Sequence, residues 1–154
     1  MLDKKHLARW VDKFTIFMDI TCHLATLSTC KRAQQGCVII PTDCSCIYAL
    51  GYNGPPINFP NDACRNSAGE CGCSHAEINA LIKFSPVMRP CALLCTMTPC
   101  ETCANAIINT PCIKFVLFKS AYRDLTGLRK LTVPAVRFTD AAAIIGDIYE
   151  SAHS

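Results

Sequence analysis

Two short segments of this sequence bring metal-binding side chains and a carboxylate close together along the chain. The first is His75-Ala76-Glu77 and the second is Pro99-Cys100-Glu101-Thr102-Cys103. Because Cys100 and Cys103 are three residues apart, one helical turn places both thiols on the same side, where they can chelate one ion. With His75 they supply one nitrogen and two sulfur ligands. This set suits zinc and leaves a fourth position open for water, as in catalytic zinc sites.

Each segment stands where a helix is expected to begin. Ser74 with Glu77, and Thr98 with Glu101, have the spacing of a capping box, and Pro99 suits a first helical position. Unpaired N–H groups at a helix N-terminus lower the pKa of nearby thiols, which favours thiolate ligands. The plainer interpretation makes Glu77 a cap partner and the two cysteines ordinary helical residues. The joint occurrence of both segments favours the metal site.

The composition is that of a folded domain with an unusual number of cysteines. The chain has 154 residues, 51% of them hydrophobic and 18% charged, with a formal net charge of +3. This length predicts a single domain over residues 1–154. The 13 cysteines are an odd number, and the charged N-terminus lacks the apolar stretch of a signal peptide. We therefore expect reduced thiols and a cytoplasmic location, and no membrane span, since no apolar run reaches about 18 residues.

Apolar periodicity and turn residues predict the order of helices and strands. A helix is expected over about residues 3–27, followed by a β-hairpin with strands at about 36–40 and 46–50 and a long loop over about 51–72. Helices at about 74–84, 99–109 and 121–130 then alternate with strands at about 92–97, 113–118 and 133–138, and Asp140 caps a terminal helix. This order predicts an α/β protein, a mixed sheet sandwiched by helices.

The paired motifs resemble a known family. H-x-E followed by P-C-x-x-C is similar to the signature of the zinc-dependent cytidine deaminase superfamily. The resemblance runs over nearly the whole chain after residue 25. It implies a three-layer α/β/α fold around a mixed sheet of about five strands. It also implies that His75, Cys100 and Cys103 hold a catalytic zinc ion, while Glu77 shuttles protons without ligating the metal.

A second motif is closer to one branch of that superfamily. Gly51-Tyr52-Asn53-Gly54-Pro55-Pro56 resembles the GYNGxP loop of deoxycytidylate deaminases, as do residues 28–36, 75–80 and 122–124. The resemblance implies hydrolysis of dCMP to dUMP and ammonia, which supplies dUMP for thymidylate synthesis. The substrate contacts implied are Asn53, Ala76, Thr98 and Tyr122, with Asn53 at the sugar or phosphate. An Asn-Gly pair after a strand is equally a turn signal, so both interpretations of Asn53 stay open.

Many deoxycytidylate deaminases are hexamers that dCTP activates and dTTP inhibits, together with Mg²⁺, through a site that includes the GYNG loop. By this resemblance we expect a homo-oligomer, a hexamer, with the same regulation. The effector-site residues implied are Gly51, Tyr52, Asn53, Gly54, Asn58 and Arg65. The short length and the extra cysteines favour a phage-encoded member, which would act in the cytosol of its host.

The phosphate of a nucleotide needs cationic or N–H partners. The candidates are Lys31, Arg32, Arg65 and Arg123, and the sequence does not rank them.

Four further cysteines suggest a second metal site. Cys64, Cys71 and Cys73 precede His75 in the long loop, and Cys30 stands where some phage members of the family use a cysteine for a structural zinc. Four thiolates would form a closed structural zinc site and would order a loop that otherwise lacks a core. The alternative is that these thiols are reduced, buried and free of metal. The remaining cysteines are expected to fill the core: Cys22, Cys37, Cys44, Cys46, Cys91, Cys95 and Cys112.

Two other functions stay open at this point. One is a deaminase of another base, a free nucleoside or a tRNA, because the zinc motifs alone do not select a base. The GYNGPP loop favours a nucleotide, and the lack of a basic patch interleaved with aromatics argues against polynucleotide substrates. The other is a non-catalytic, zinc-stabilised nucleotide-binding module. Glu77 favours catalysis, since a structural zinc site has no use for this carboxylate.

Overall fold

The computed structural model describes residues 4–68, 70–85, 88–141 and 146. Its helices are α1 (Lys4–Ala25), α2 (Ala76–Lys83), α3 (Glu101–Ile108) and α4 (Thr126–Lys130). Its strands are β1 (Gly36–Pro41), β2 (Ala49–Tyr52), β3 (Cys91–Met97), β4 (Ile113–Ser120) and β5 (Ala135–Arg137), and a 3-10 turn follows at Phe138–Asp140. No helix within these residues is both long enough and apolar enough to cross a membrane.

The strands form one mixed sheet in the order β2-β1-β3-β4-β5. β1 pairs antiparallel with β2 and with β3, whereas β3, β4 and β5 run parallel to one another. The α/β class and the five-stranded mixed sheet predicted from the sequence are therefore confirmed.

Helices cover both faces of the sheet, which makes three layers. Alternate residues of β1 point to opposite faces. Val38 and Ile40 pack in the core that includes Phe14 of α1, while Cys37 and Ile39 pack in the core formed with α2 and α3. All six residues of β1 are buried, which explains why this strand reads as a continuous apolar run and not as an alternating one.

The directions of the strands bring four loops to one edge of the sheet. β3 and β4 are parallel, so the segments that follow them, 98–100 and 121–125, leave the same edge. β1 runs opposite to β3 and β2 runs opposite to β1, so the segment before β1 and the segment after β2 meet at that edge too. α2 and α3 also begin there, because each follows one of these segments. The fold thus gathers the motif residues at a single edge.

The second strand of the hairpin begins later than the sequence predicted. Residues 41–44 form a turn in which Cys44 N–H donates to Pro41 O at 2.9 Å, and Asp43 Oδ1 then accepts from Ser45 N–H at 3.0 Å. Cys44 has a left-handed φ of 56°, so the chain turns before pairing starts at Ile39–Ala49. Cys46 is consequently exposed, and its prediction as a core residue was wrong.

The predicted terminal helix lies almost entirely outside the described residues. Asp140, its expected cap, is the last residue of the 3-10 turn.

Candidate functional site

The three residues predicted to hold the catalytic zinc come together in the structure. Nδ1 of His75 lies 3.4 Å from Sγ of Cys100 and 3.4 Å from Sγ of Cys103, and the three ligand atoms lie within 4.8 Å of one another. Ligands of a tetrahedral zinc ion, with bonds of about 2.0–2.3 Å, stand about 3.5–3.8 Å apart. The three side chains therefore fit a zinc ion, with a fourth position left for a molecule from solvent.

The start of each helix presents these ligands, in a way that the sequence analysis did not predict. His75 is the N-cap of α2 and Cys100 is the N-cap of α3, and neither side chain caps its helix. The expected capping boxes at Ser74 and Thr98 were wrong. Ser74 instead pairs through its backbone with Gly54. The extended backbone at both N-cap positions leaves the imidazole and the thiol free to face each other.

Close packing holds the second of these helix starts in place. Gly127 of α4 lies so near Pro99 and Cys100 that an added Cβ would come within 2.2 Å of Pro99 O. Only glycine allows this approach, so α4 rests directly on the backbone that carries Cys100.

The interactions within the cluster favour the thiolate form of Cys100. The side chains of Cys103 and His75 interact with Cys100 and together lower the pKa of Cys100 to about 4. The interaction with Cys100, together with burial, raises the pKa of Cys103. The Cys100 side chain also raises the pKa of His75. Because metals bind thiolates and not thiols, the cluster already favours one anionic ligand before a metal enters.

Glu77 stands next to this cluster as a buried carboxylate. It is 7% exposed, and Cys103 Sγ donates to its Oε2 at 3.5 Å. Burial raises the pKa of Glu77, while its own backbone N–H and His75 act in the opposite sense. Behind it lie Cys37 and Cys95, which face each other on β1 and β3. The carboxylate does not cap α2 as a capping box would require, so the cap interpretation of Glu77 was wrong.

A cavity of about 700 Å³ opens over the cluster and contains Glu77 in its lining. All four residues expected to contact substrate lie in its wall: Asn53, Ala76, Thr98 and Tyr122. A hydrogen bond connects the parts of the wall that follow β3 and β4, since Tyr122 N–H donates to Thr98 Oγ1 at 2.7 Å. Two residues that the sequence analysis missed, Gln35 and Met97, also line it. Gln35 immediately precedes β1, within the similar segment 28–36, and Met97 is the last residue of β3. Neither residue was singled out from the sequence, and the fold brings both to the cavity.

Asn53 uses its side chain to brace the cavity wall. Its Oδ1 accepts from Gln35 N–H at 2.7 Å, and its Nδ2 donates to Ala33 O at 2.7 Å. Its backbone N–H donates to Gln35 O at 3.2 Å. The amide thus fixes residues 33–35, and its second N–H remains available to the cavity. Asn53 and Gly54 do not form a turn, since Gly54 pairs with Ser74 in an isolated antiparallel bridge. The turn interpretation was therefore wrong, and a contact with substrate stays a prediction.

The other residues expected at an effector site lie outside the lining of this cavity. Gly51 is buried against α2, where an added Cβ would lie 2.3 Å from Ala76 O. Tyr52 and Asn58 are exposed, and Asn58 has a left-handed φ of 70°. Arg65 donates from Nε to Glu70 O at 3.0 Å.

The four further cysteines also form one cluster. The thiols of Cys30, Cys64, Cys71 and Cys73 lie within 4.8 Å of one another, with 3.9 Å between Cys30 Sγ and Cys64 Sγ. Sulfur ligands of a tetrahedral zinc ion stand about 3.8 Å apart. Backbone N–H groups, including that of Lys31 at 3.4 Å, lower the pKa of Cys64 to about 6. The donor set therefore fits a structural zinc ion.

The two clusters are neighbours in space as well as in sequence. Cys73 is two residues before His75, and Cys30, Cys71 and Cys73 line the same cavity as Glu77. The four-cysteine cluster thus forms part of the cavity wall.

Comparison with known proteins agrees with this arrangement. The family model of the cytidine and deoxycytidylate deaminase zinc-binding region matches residues 12–119. Deoxycytidylate deaminase of Saccharomyces cerevisiae is 34% identical over 119 residues, which cover 70% of this chain and 37% of that protein. The probable deoxycytidylate deaminase of Caenorhabditis elegans is 36% identical over 86 residues, which cover 51% of this chain and 43% of that protein. This chain thus spans less than half the length of either relative.

A solved structure gives the same indication. The dCMP deaminase of cyanophage S-TIM5, determined in complex with dCMP and dUMP, has a TM-score of 0.70 and 27% sequence identity, and it covers 80% of this chain and 94% of that chain. The region matched by the family model, residues 12–119, contains every residue of both clusters and Glu77. The chain therefore belongs to the cytidine and deoxycytidylate deaminase family.

Proposed function

We propose that this chain hydrolyses dCMP to dUMP and ammonia with a zinc ion held by His75, Cys100 and Cys103. The observation that carries the proposal is Glu77, a buried carboxylate in a cavity wall, 3.5 Å from a ligand sulfur. A structural zinc site would have a fourth protein ligand and no need for a buried acid. The cyanophage relative, which was determined with dCMP and dUMP, supports the choice of substrate.

Glu77 moves the protons of this reaction. When bound, zinc acts as a Lewis acid that lowers the pKa of water toward neutrality. Glu77 takes a proton from the attacking water and delivers it to N3 of the cytosine ring as the new C4–O bond forms. It then transfers the remaining proton of that water, now on the oxygen bonded to C4, to the amino group. Ammonia leaves and the ring becomes uracil. Burial supports this role, because it raises the pKa of Glu77 and makes the acid able to hold a proton between steps.

The cavity wall supplies the contacts to the nucleotide. Ala76 is the first residue of α2, so its backbone N–H has no acceptor within the helix and can donate to the base. The half-buried ring of Tyr122 offers a flat surface on which a base can pack. Asn53 contributes its remaining N–H to the sugar, in addition to bracing residues 33–35.

Ammonia release tests this function. Protein of known zinc content is assayed in parallel with dCMP, CMP, deoxycytidine and cytosine. We expect dCMP to have the highest kcat/KM of the four. The proposal is contradicted if the zinc-loaded protein releases ammonia from none of the four. A preference for CMP, deoxycytidine or cytosine would assign the enzyme to that substrate and not to dCMP.

The proposed function includes a second, structural zinc ion at Cys30, Cys64, Cys71 and Cys73. The four thiols have the spacing that such an ion requires. Residues 53–75 carry three of them, and the described residues of this range, all but residue 69, form no helix or strand of their own. A long segment of this kind needs an anchor in place of a hydrophobic core, and the metal supplies it.

Zinc analysis of the Cys64→Ala variant gives a direct prediction. The wild-type chain is expected to carry about two zinc ions and the variant about one. Limited proteolysis of the variant should cut within residues 53–75, since Cys64 is buried and its thiol accepts the Lys31 N–H. A matched Cys46→Ala variant removes an exposed thiol outside both clusters and should keep both ions. A wild-type content of about one ion per chain would refute the second site.

We further propose that the chain forms a homo-hexamer that dCTP activates and dTTP inhibits, together with Mg²⁺, as the family resemblance implies. The dUMP that it produces would supply thymidylate synthesis. Exposed Tyr52 ends β2 and exposed Asn58 lies on the segment that follows, both outside the substrate cavity, where an effector could reach them. Initial rates over a range of dCMP, with and without dTTP and Mg²⁺, test the regulation. A velocity curve that dTTP leaves unchanged rejects it, and light scattering of the pure protein tests the hexamer.

A further inference from the structure

A pair of thiols lies at the edge of the sheet opposite to the cavity. Cys91 is the first residue of β3, and Cys112 is the residue before β4. The cavity lies at the other edge, where β3 ends at Met97. Because β3 has seven residues, the pair stands about 20 Å from that end of the strand. Neither cysteine lines the cavity or belongs to one of the two metal-binding clusters.

The backbone holds these two residues as immediate neighbours. Cys91 N–H donates to Cys112 O at 2.7 Å, and β3 and β4 pair in parallel from this point, with Cys91 beside Ile113. Adjacent strands lie about 4.7–4.9 Å apart, and a disulfide requires Cα atoms about 4.4–6.8 Å apart. The spacing of these strands therefore suits a disulfide without a change in their pairing.

The two side chains also meet. Cys112 packs against the core cluster that contains Cys91, and the two thiols interact directly. The Cys91 thiol also donates to Arg89 O at 3.4 Å. Burial, together with the adjacent Cys112 side chain, raises the pKa of Cys91 to about 12. Cys91 is therefore a protonated thiol at neutral pH.

Solvent reaches the two thiols unequally. Cys91 is 0% exposed, whereas Cys112 is partly exposed, so a small oxidant from solvent meets Cys112 first. Cys37 and Cys95 offer a contrast, because they also lie opposite each other on neighbouring strands but are only 0% and 1% exposed. These two thiols are close together and closed to solvent, and both should stay reduced.

We propose that Cys91 and Cys112 are a site of reversible oxidation, at which a hydroperoxide converts the two thiols to a disulfide. The sulfur of Cys112 takes one oxygen from the hydroperoxide ROOH, which leaves as the alcohol ROH, and becomes a sulfenic acid. The sulfur of Cys91 then attacks that sulfur, and its proton leaves with the hydroxide as water. The two sulfurs together lose the two electrons that the hydroperoxide gains.

The disulfide would close a ring of residues 91–112. This ring contains β3 and α3, and α3 with its N-cap carries the ligands Cys100 and Cys103. A cross-link of this kind stabilises a fold because it restricts the unfolded chain. Oxidation is therefore expected to strengthen the unit that presents two of the three catalytic ligands. The disulfide forms independently of the reaction proposed above.

Peptide mapping of the zinc-loaded protein tests the site. The protein is treated with hydrogen peroxide, the remaining thiols are alkylated after denaturation, and fragment-ion mass spectrometry locates each disulfide. At the lowest dose that oxidises Cys112, we expect Cys91 to be joined to Cys112. Cys37 and Cys95 should be alkylated and the zinc content unchanged, and dithiothreitol should restore both thiols of the proposed pair.

The melting temperature supplies a second readout. The oxidised wild type should melt about 5–10 °C above the same protein reduced with dithiothreitol. Cys112→Ser changes a thiol that is only partly buried, so this variant should fold, and peroxide should not raise its Tm. Cys46→Ala is the matched control, because Cys46 is exposed and lies near Cys91 at the same edge. It should form the disulfide and show the full rise in Tm.

Three results would overturn the proposal. The first is that Cys91 and Cys112 stay free at a peroxide dose that oxidises exposed Cys46. The second is a disulfide between Cys91 and Cys46, because Cys112 would then not be the partner. The third is an equal rise in Tm in Cys112→Ser, which would show that another oxidised thiol stabilises the fold. None of them depends on turnover of dCMP, so a failure of the proposed function would be seen separately.

Discussion

Replacing Glu77 with glutamine is expected to remove nearly all dCMP turnover while leaving the fold and the zinc content intact. A positioned acid–base group contributes about 10²–10⁴-fold to a rate, and Glu77 handles two proton transfers in succession. We therefore expect a loss in kcat of about 10³-fold or more, equivalent to about 4 kcal/mol in the activation barrier. Glutamine keeps the shape of the side chain but can neither take up the proton from water nor give it to the ring.

The geometry makes this variant a clean test. The three ligand atoms belong to His75, Cys100 and Cys103, so zinc should stay bound when Glu77 changes. Glutamine has the size and shape of Glu77, which is 7% exposed, so the packing around this side chain is kept. Kinetics with dCMP, zinc analysis and calorimetry with dUMP together separate a loss of chemistry from a loss of binding. We expect the dissociation constant of dUMP to remain within about 3-fold of the wild type.

Glu101→Gln is the matched control for this variant. Glu101 lines the same cavity, next to Cys100, yet its carboxylate is paired with Lys130 and is exposed. The same chemical change there should leave kcat nearly unaltered. Substantial turnover in Glu77→Gln, above about a tenth of the wild-type rate, would remove Glu77 from the proton-transfer role.

Much of this site could be predicted from the sequence because its chemistry is encoded locally. His75 and Glu77 are two residues apart, and Cys100 and Cys103 are three apart, so each pair is positioned by its own helix start. Strong apolar runs such as that of β1, together with turn residues between the runs, predicted the order of the elements. The five-stranded mixed sheet follows from that order and from the resemblance, and the structure agrees with it.

The features that the sequence did not predict depend on contacts between distant segments. Capping-box spacing was present at Ser74 and Thr98, but pairing of Ser74 with Gly54 and of Thr98 with Tyr122 draws these residues out of the helices. β2 begins later than predicted because of the turn at Asp43. The apolar run at 46–50 gives no sign of this delay. Local propensity was overridden by tertiary contacts in both cases.

The positions of the predicted phosphate candidates show the same limit in another form. Lys31 and Arg32 are adjacent in sequence, and nothing local separates them. Their side chains nevertheless diverge in the structure. One cation then lines the cavity and the other binds Asp62 O at the surface. Long-range hydrogen bonds of this kind carry no signal in a single sequence.

Loss of one ligand should be as damaging as loss of the proton shuttle, but by a different route. Cys100→Ala is expected to reduce the zinc content from about two ions per chain to about one and to lower dCMP turnover to background. The two ligands that remain, His75 and Cys103, cannot hold the ion as tightly as three. Cys100 also carries the lowered pKa of the cluster, about 4, so the variant loses the thiolate that is already formed before metal binding.

The fold should survive this substitution. Cys100 occupies the N-cap position of α3 without making a side-chain cap hydrogen bond, so alanine removes no cap from the helix. Gly127 packs on the backbone of Pro99 and Cys100, not on the thiol. We therefore expect circular dichroism to be unchanged, and the remaining zinc ion to be the one in the four-cysteine cluster.

Combining this change with Cys64→Ala makes the assignment of both ions decisive. If the two clusters bind zinc independently, the single variants each retain about one ion and the double variant retains about none. Their activities should differ sharply, because Cys100→Ala has lost the catalytic ion and Cys64→Ala has lost only the anchor of the loop. Full zinc retention in Cys100→Ala would exclude Cys100 as a ligand. Loss of both ions in either single variant would show that the clusters, which share the cavity wall at Cys73 and His75, bind metal as one unit.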